Sequence, residues 1–226
     1  MTDYVELHCR SAFSFLRAAS LPEQLAQRAA HLQMPALAVC DRDGLYGAPR
    51  LFSRAAEVGV RAIVGAELTM EGGAVLPVLV QSRTGYQNLS QLLTRAHLRN
   101  EKGKCSVFWD ELPEFADGLV ALTGDSEGVL RQSIEERQNP VAILKNLRTI
   151  FGPQNLFVEI QRHCLRGEAE TNRILIDLAA ECQLPLLATN GVLYSTASER
   201  PILDTFICLR SHPHLDAAGN LLSPNS

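Results

Sequence analysis

Residues 36–67 read ALAVCDRDGLYGAPRLFSRAAEVGVRAIVGAE, and the order of events within them decides the fold. Ala36-Leu-Ala-Val-Cys40 is a short unbroken apolar run that stops at charge, the pattern of a strand covered on both faces. It ends in Asp41. A glycine-punctuated loop follows, then a helical stretch over 47–58, then a second apolar run, Arg61-Ala-Ile-Val64, leading to Glu67. Strand, polar residue, helix, strand, polar residue is a βαβ unit, and repeated βαβ units build a parallel sheet.

The pattern extends in both directions. Upstream, Tyr4-Val-Glu-Leu-His-Cys9 alternates like a strand, and Ser20-Leu-Pro-Glu23 predicts a helix start. Ser20 is the expected cap, Glu23 completes a capping box, and Leu21, Leu25, Ala29 and Leu32 form the apolar face. Downstream, strands are expected at 75–80, 118–122, 156–160 and 184–188. Helices are expected over about 86–98, between the strand at 118–122 and Gly152-Pro153, over 168–182 and over about 198–210, and residues 100–117 read as irregular. Nearly every strand closes on a polar residue: His8, Asp41, Glu67, Asn190, and Asp125 just beyond its strand. Polar groups delivered by the C-terminal ends of several strands to one mouth favour an α/β barrel over an open doubly wound sheet.

With 226 residues, 46% of them hydrophobic, the chain can build one sizeable core. Twenty-one basic against 25 acidic residues give a net charge of −4. A domain whose main task is gripping duplex DNA is usually basic, so the surface as a whole is not expected to be a principal DNA-binding surface. The six cysteines (9, 40, 105, 164, 182, 208) form no C-x-x-C pair and read as buried free thiols of a reducing compartment. The opening MTDYVELHCR lacks the basic-then-apolar order of a signal peptide, and no apolar run reaches membrane-spanning length. A soluble, cytoplasmic protein with no membrane partner is expected. The loop-like tail, 217–226, suggests a piece of a longer protein.

Several segments, in order, resemble the PHP (polymerase and histidinol phosphatase) domain of C-family bacterial DNA polymerases: YVELHCRSAFSFLRAAS, MPALAVCDRDGLYGAPRLF, VGAEL, GYQNLSQLL, GLVALTGDSEG, FVEIQRHCLRGE, LPLLATNGVLY and RPILDTFICLRSH with the closing LLSPN. The VELHCxSAFSFL opening, the DRDGLYG loop and LLSPN are most similar to the error-prone, ImuC-type branch. The resemblance implies a PHP-type distorted seven-stranded (βα) barrel over residues 1–210, with 211–226 an extension toward a polymerase palm. It implies a parent DNA-directed DNA polymerase that uses Mg²⁺ in that palm, packs this domain against palm and thumb, reaches DNA through the parent, and works with the ImuA and ImuB accessory proteins and the sliding clamp.

Active members hold three metals in the barrel mouth on histidines, carboxylates and sometimes a cysteine, and metal-bound water then attacks a phosphoester. Matched to that pattern, this sequence departs at Arg10, Arg17, Arg42, Val75, Gly191 and Leu193. His8 and Glu67 remain as ligand positions, and Asp125 is a chemically possible replacement. Arginine has no lone pair for a metal and is always charged. The resemblance therefore implies no catalytic residue, no metal and no cofactor in this stretch, with Arg10, Arg17 and Arg42 forming a salt-bridge network with Asp41, Glu67 and Asp125. The alternative is a metal-dependent PHP phosphoesterase or proofreading exonuclease on an atypical site.

Plainer readings stand beside these. A lone strand-end histidine such as His8 is more often simply hydrogen-bonded, and Glu67 is more often paired with arginine than with metal. His163 reads as loop packing, and His212 and His214 flank Pro213 without a cysteine pair. Asp41-Arg-Asp43-Gly44 lacks the spaced oxygens of a Ca²⁺ loop, and Gly124-Asp-Ser-Glu-Gly128 lacks phosphate-loop spacing.

Overall fold

The computed structural model describes residues 4–212, 214–219 and 222. Pro213 and most of the closing LLSPN segment (221 and 223–225) lie outside the described residues. Seven strands neighbour one another in sequence order, β1 to β7. The described residues fall into two compact units that divide after Val64 and before Asn190: the first holds both ends of the chain, the second holds residues 65–189.

In the first unit β1 (Glu6–Cys9) and β2 (Ala36–Arg42) pair in parallel, connected through α1 (Pro22–His31). The helix α2 (Ala48–Val58) follows, and the unit also contains the start of β3 (Arg61–Thr69) and, late in the chain, α8 (Arg200–Ser211). Every residue of β2 up to Asp41 is buried, as its apolar run demands. The core under it is Cys9, Leu25, Ala26, Ala29, Leu37, Val39, Leu51, Ala55 and Val60. Gly59 ends α2 at φ 75°, a left-handed cap that costs glycine little.

The start of α1 differs from the expected capping box. Pro22 occupies its first position, where a missing N–H costs nothing. Gln24, not Glu23, reaches back to accept the Leu21 N–H at 2.7 Å. Glu23 turns instead to Arg50, and Ser20 lies buried, donating its hydroxyl to Glu199 at 2.7 Å.

The second unit carries the end of β3, then β4 (Val75–Val80), β5 (Leu119–Leu122), β6 (Leu156–Ile160) and β7 (Leu186–Ala188). Its helices are α3 (Arg83–Arg99), the single turn α4 (Leu112–Phe115), α5 (Val129–Glu135), α6 (Pro140–Phe151) and α7 (Glu168–Glu181). β5, β6 and β7 run parallel, but β4 is antiparallel to both β3 and β5, against the all-parallel expectation. The reason lies in chain length. Met70-Glu-Gly-Gly-Ala74 is too short for a parallel crossover and long enough only for a hairpin.

α3 begins at Ser82, whose hydroxyl accepts the Gly85 N–H at 3.1 Å. Here the helix crosses the start of β5 closely: a Cβ on Gly85 would stand 1.9 Å from the Gly118 carbonyl oxygen, and Gly118 itself has φ 74°. Backbone on backbone cannot yield as a flexible side chain does. Gly85→Ala is therefore expected to destabilise the fold by about 1–3 kcal/mol despite alanine's better helix propensity, measured by urea denaturation.

Candidate functional site at the strand ends

In the first unit, β1 delivers His8 and Arg10, and β2 delivers Asp41 and Arg42. Asp41 is 2% exposed. Its carboxylate accepts the Ser11 N–H at 2.8 Å, the Ser11 hydroxyl at 2.8 and 2.9 Å and the Ser14 hydroxyl at 2.8 Å. Ser14 in turn accepts the Arg42 N–H at 3.0 Å. The loop after β1 is thus fastened to the end of β2 by one buried acid. Gly47 leaves room for it, since a Cβ there would lie 2.7 Å from Asp41 Oδ2.

Residues 190–199 return beside β1. The Asn190 N–H donates to Glu6 at 2.9 Å, the Arg10 N–H to the Val192 carbonyl at 2.9 Å, and the Ala19 N–H to the Leu193 carbonyl at 2.9 Å. Arg10, Gly191 and Leu193, three positions that the sequence reading expects to depart from a metal-binding pattern, therefore share one neighbourhood. Arg10 is buried at 7% exposure, while Arg17 and Arg42 are half-buried.

Two further acids of this unit carry structure that the sequence reading missed. Glu6 is 1% exposed and accepts the Tyr4 hydroxyl at 2.6 Å and the His8 N–H at 2.8 Å. Burial raises its pKa above the ordinary value, against the lowering effect of those hydrogen bonds. Burial also lifts the Cys9 thiol well above its ordinary range, helped by Glu6 and Asp41, so Cys9 is an inert core thiol. Glu199 is the opposite case. Burial pushes its pKa up, but hydrogen bonds from Ser195 and Ser20 and from the backbone of Thr196 and Ser195 outweigh that, and it lies below the ordinary value. Cys164, expected to be buried, is exposed in the second unit, because Arg162 to Gly167 form the loop after β6 instead of a continuation of the strand.

In the second unit Glu67 is fully buried, and it stands inside β3 opposite Pro77, since the strand runs two residues past the expected end. Val75 opens β4 and donates its N–H to the Glu127 carbonyl at 2.8 Å. Asp125 begins a tight turn, accepting the Glu127 N–H on Oδ1 at 2.9 Å and the Gly128 N–H on its carbonyl at 3.0 Å. The glycines of this loop serve that turn: a Cβ on Gly124 would meet Gly128 Cα at 2.7 Å. Glu67, Val75 and Asp125 are thus gathered by β4. Beyond them the sequence reading missed a polar chain at the ends of β6 and β7. Glu159 accepts from Thr189 and, at 3.0 Å, from Gln161, whose amide oxygen meets the His163 ring at 3.2 Å. His163 also donates its N–H to Glu168 at 2.7 Å, which makes it a loop-packing residue.

Of the six residues expected to form a salt-bridge network, Arg10, Arg17, Arg42 and Asp41 belong to the first unit and Glu67 and Asp125 to the second. By donor chemistry, His8 of the first unit offers an imidazole and Glu67 and Asp125 of the second a carboxylate each, groups of the kind that divalent cations accept. One oxygen of Asp125 already holds its turn.

A strand–helix alternation whose strands end in acid, imidazole and guanidinium groups places the chain in the α/β barrel class. The PHP domain model matches residues 6–163, and the chain belongs to the PHP family. It is 37% identical over 235 residues to an error-prone DNA polymerase of Mycolicibacterium paratuberculosis, covering 98% of this chain and 22% of that protein. An error-prone DNA polymerase of Pseudomonas fluorescens is 35% identical over the whole chain, which again spans 21% of the relative. Among solved structures, an amidohydrolase from Chromobacterium violaceum superposes with TM-score 0.58 at 13% identity, covering 84% of this chain and 87% of that one. A lesion-specific endonuclease from Pyrococcus furiosus gives TM-score 0.53 at 12% identity, covering 85% and 48%. The two structures establish the fold.

Two outcomes follow from the first unit. With its guanidinium paired to a buried acid, Arg10→Ala would leave that acid uncompensated, and on that expectation it costs about 3–5 kcal/mol in chemical denaturation; a cost near zero would show that no such buried pair exists. For Glu199 the depressed pKa means its stabilisation is fully present above the ordinary carboxylate value of 4.5 and is lost as pH falls through its lower folded value. The Tm deficit of Glu199→Gln should be largest near neutral pH and shrink below that value, as a calorimetric pH series would show.

Proposed function

We propose that this chain is the PHP domain of an error-prone DNA polymerase, that its own metal chemistry is disabled, and that it serves the polymerase as a scaffold. The observation that supports this best is Arg10, a buried guanidinium at a position where the family resemblance calls for a metal ligand. A guanidinium cannot bind a cation and repels one. Arg42 adds a second positive group at the end of the adjacent strand, and Gly191 and Leu193 bring neither carboxylate nor imidazole.

On this reading the parent protein extends DNA with deoxynucleotides, using Mg²⁺ held by carboxylates in a palm that lies outside this chain. Palm and thumb are its nearest partners, with ImuA, ImuB and the sliding clamp as further ones. Repair and translesion synthesis are the corresponding roles, and the cytoplasm the place. Among the described residues no helix is long and apolar enough to cross a membrane.

The retained donors His8, Glu67 and Asp125 support a second reading, a phosphoesterase or proofreading exonuclease working on an atypical site. Metal content separates the two. After dialysis, elemental analysis is expected to find well under one zinc or manganese per chain, and a 3′-mismatched primer should survive incubation with the purified protein. Stoichiometric metal that disappears in His8→Ala, together with primer trimming, would establish the second reading and overturn the first.

A further inference from the structure

We infer that Asn190-Gly191 is a covalent modification site, at which the Asn190 carboxamide cyclises onto the main chain and deamidates to aspartate and isoaspartate. The inference is independent of the polymerase reading and rests on the chemistry and surroundings of this one dipeptide.

Asparagine is among the thermolabile side chains. Its side-chain carbonyl carbon can close a five-membered ring with the amide nitrogen of the next residue. Two things ordinarily hinder that closure: a side chain on the next residue, and a helix or strand that fixes the backbone between them. Neither protects Asn190. Gly191 has no side chain and stands at φ 58°, a conformation open to glycine. Residues 189–194 belong to no helix or strand. Asn190 is exposed, and among the described residues no hydrogen bond holds its carboxamide. What is held is the main chain around it, through the Asn190 N–H on Glu6 and the carbonyls of Val192 and Leu193.

Asn190 is the only asparagine in the chain followed by glycine. The others are guarded in ways that can be named. Asn88, Asn146 and Asn172 lie inside α3, α6 and α7. The carboxamides of Asn88, Asn100 and Asn172 donate to the carbonyls of Asp117, Ala96 and Gln161 at 3.0, 2.7 and 2.8 Å. Asn139 accepts the Ala142 N–H and precedes Pro140, which has no N–H to attack with.

In the reaction the Gly191 amide gives its proton to base, and its nitrogen bonds to the Asn190 side-chain carbonyl carbon. The bond from that carbon to the side-chain nitrogen breaks, and the nitrogen leaves as ammonia with protons from solvent. Water then opens the ring. Addition at the side-chain carbonyl leaves aspartate at position 190, and addition at the main-chain carbonyl leaves isoaspartate, with the side-chain carbon now in the backbone. Both products disturb the first unit. Aspartate brings a negative charge to a residue already touching the buried Glu6 carboxylate, and like charges that close repel. Isoaspartate lengthens the main chain between the Glu6 tie and the Val192 and Leu193 ties, so the three cannot keep their register.

The test is peptide mapping by mass spectrometry of the folded protein aged at neutral and at alkaline pH. Asn190 is expected to gain the amide-to-acid mass difference faster than any other asparagine, and faster at the higher pH, because the attacking amide must lose a proton. The isoaspartate fraction should accept a methyl group from S-adenosylmethionine through protein-isoaspartate methyltransferase. Gly191→Ala should slow the change by about tenfold or more, a barrier raised by roughly 1.4 kcal/mol. Asn190→Gln, which leaves the backbone as it is, should abolish the methyl acceptor at this position. Tm should fall as the aged protein converts, while aged Asn190→Gln protein keeps its Tm. An Asn190 that survives in the folded protein but converts in urea would overturn the inference, since the fold would then protect it. Faster conversion at another asparagine would overturn it too. Full conversion with an unchanged Tm would overturn the proposed disturbance of the first unit.

Discussion

The first unit depends on what surrounds the carboxylate of Asp41. A carboxylate at 2% exposure is tolerable only if its oxygens are filled. The fillers are the Ser11 amide, the Ser11 hydroxyl and the Ser14 hydroxyl, all from the loop after β1. Satisfying one acid thereby fixes the path of residues 11–14, and Ser14 passes the constraint back to the Arg42 amide. Glu199 does the same at longer range, binding Ser20 and Ser195, residues 175 apart in sequence. In both cases a buried acid organises hydroxyls and amides.

Much of this architecture was legible in the sequence, for identifiable reasons. β2, β4 and β6 are short apolar runs with abrupt polar ends, and hydrophobic periodicity reports such strands directly. Strand direction is not periodic, so β4 was misread; the length of the Met70–Ala74 link carried that information and outweighs the alternation pattern. The α1 start went wrong because Ser20-x-x-Glu23 satisfies a local rule, while Pro22 moves the helix start by one and Glu199, far along the chain, claims the serine. A local motif cannot announce a competitor 179 residues away. The same limit hid Glu6 and the Glu159–Thr189–Gln161 chain, whose partners come from other strands.

At the candidate site the residue types were legible and their environments were not. His8, Glu67 and Asp125 were each expected at or just beyond a strand end, but the sequence could not tell that Glu67 lies two residues inside β3 or that Asp125 serves a tight turn. Nor could it tell burial: Arg10 is enclosed while Arg17 and Arg42 are only half so, although all three read alike as arginines replacing ligands.

That difference in burial bears on how, on the proposed reading, such a domain would persist without metals. In a metal-dependent fold, part of the folding free energy comes from the bound ions, and apo protein pays for uncompensated carboxylates at the ligand positions. A guanidinium built into the chain supplies positive charge that no chelator removes and no metal shortage withholds. It also fixes direction: planar, with several donors, it favours one arrangement of acceptors where a metal ion would accept several. On the proposed reading, the exchange of ligands for arginines gives up hydrolysis and makes stability independent of metal supply. A scaffold that must hold polymerase segments in register gains from that exchange, whereas a nuclease would lose its function by it. Arg10 is the residue best placed to effect the change. It leaves β1 directly beside the returning segment at Val192, where the family pattern places two further ligands that this chain lacks. On that reading, loss of those ligands and gain of that charge belong to one neighbourhood, as expected if each made the other tolerable.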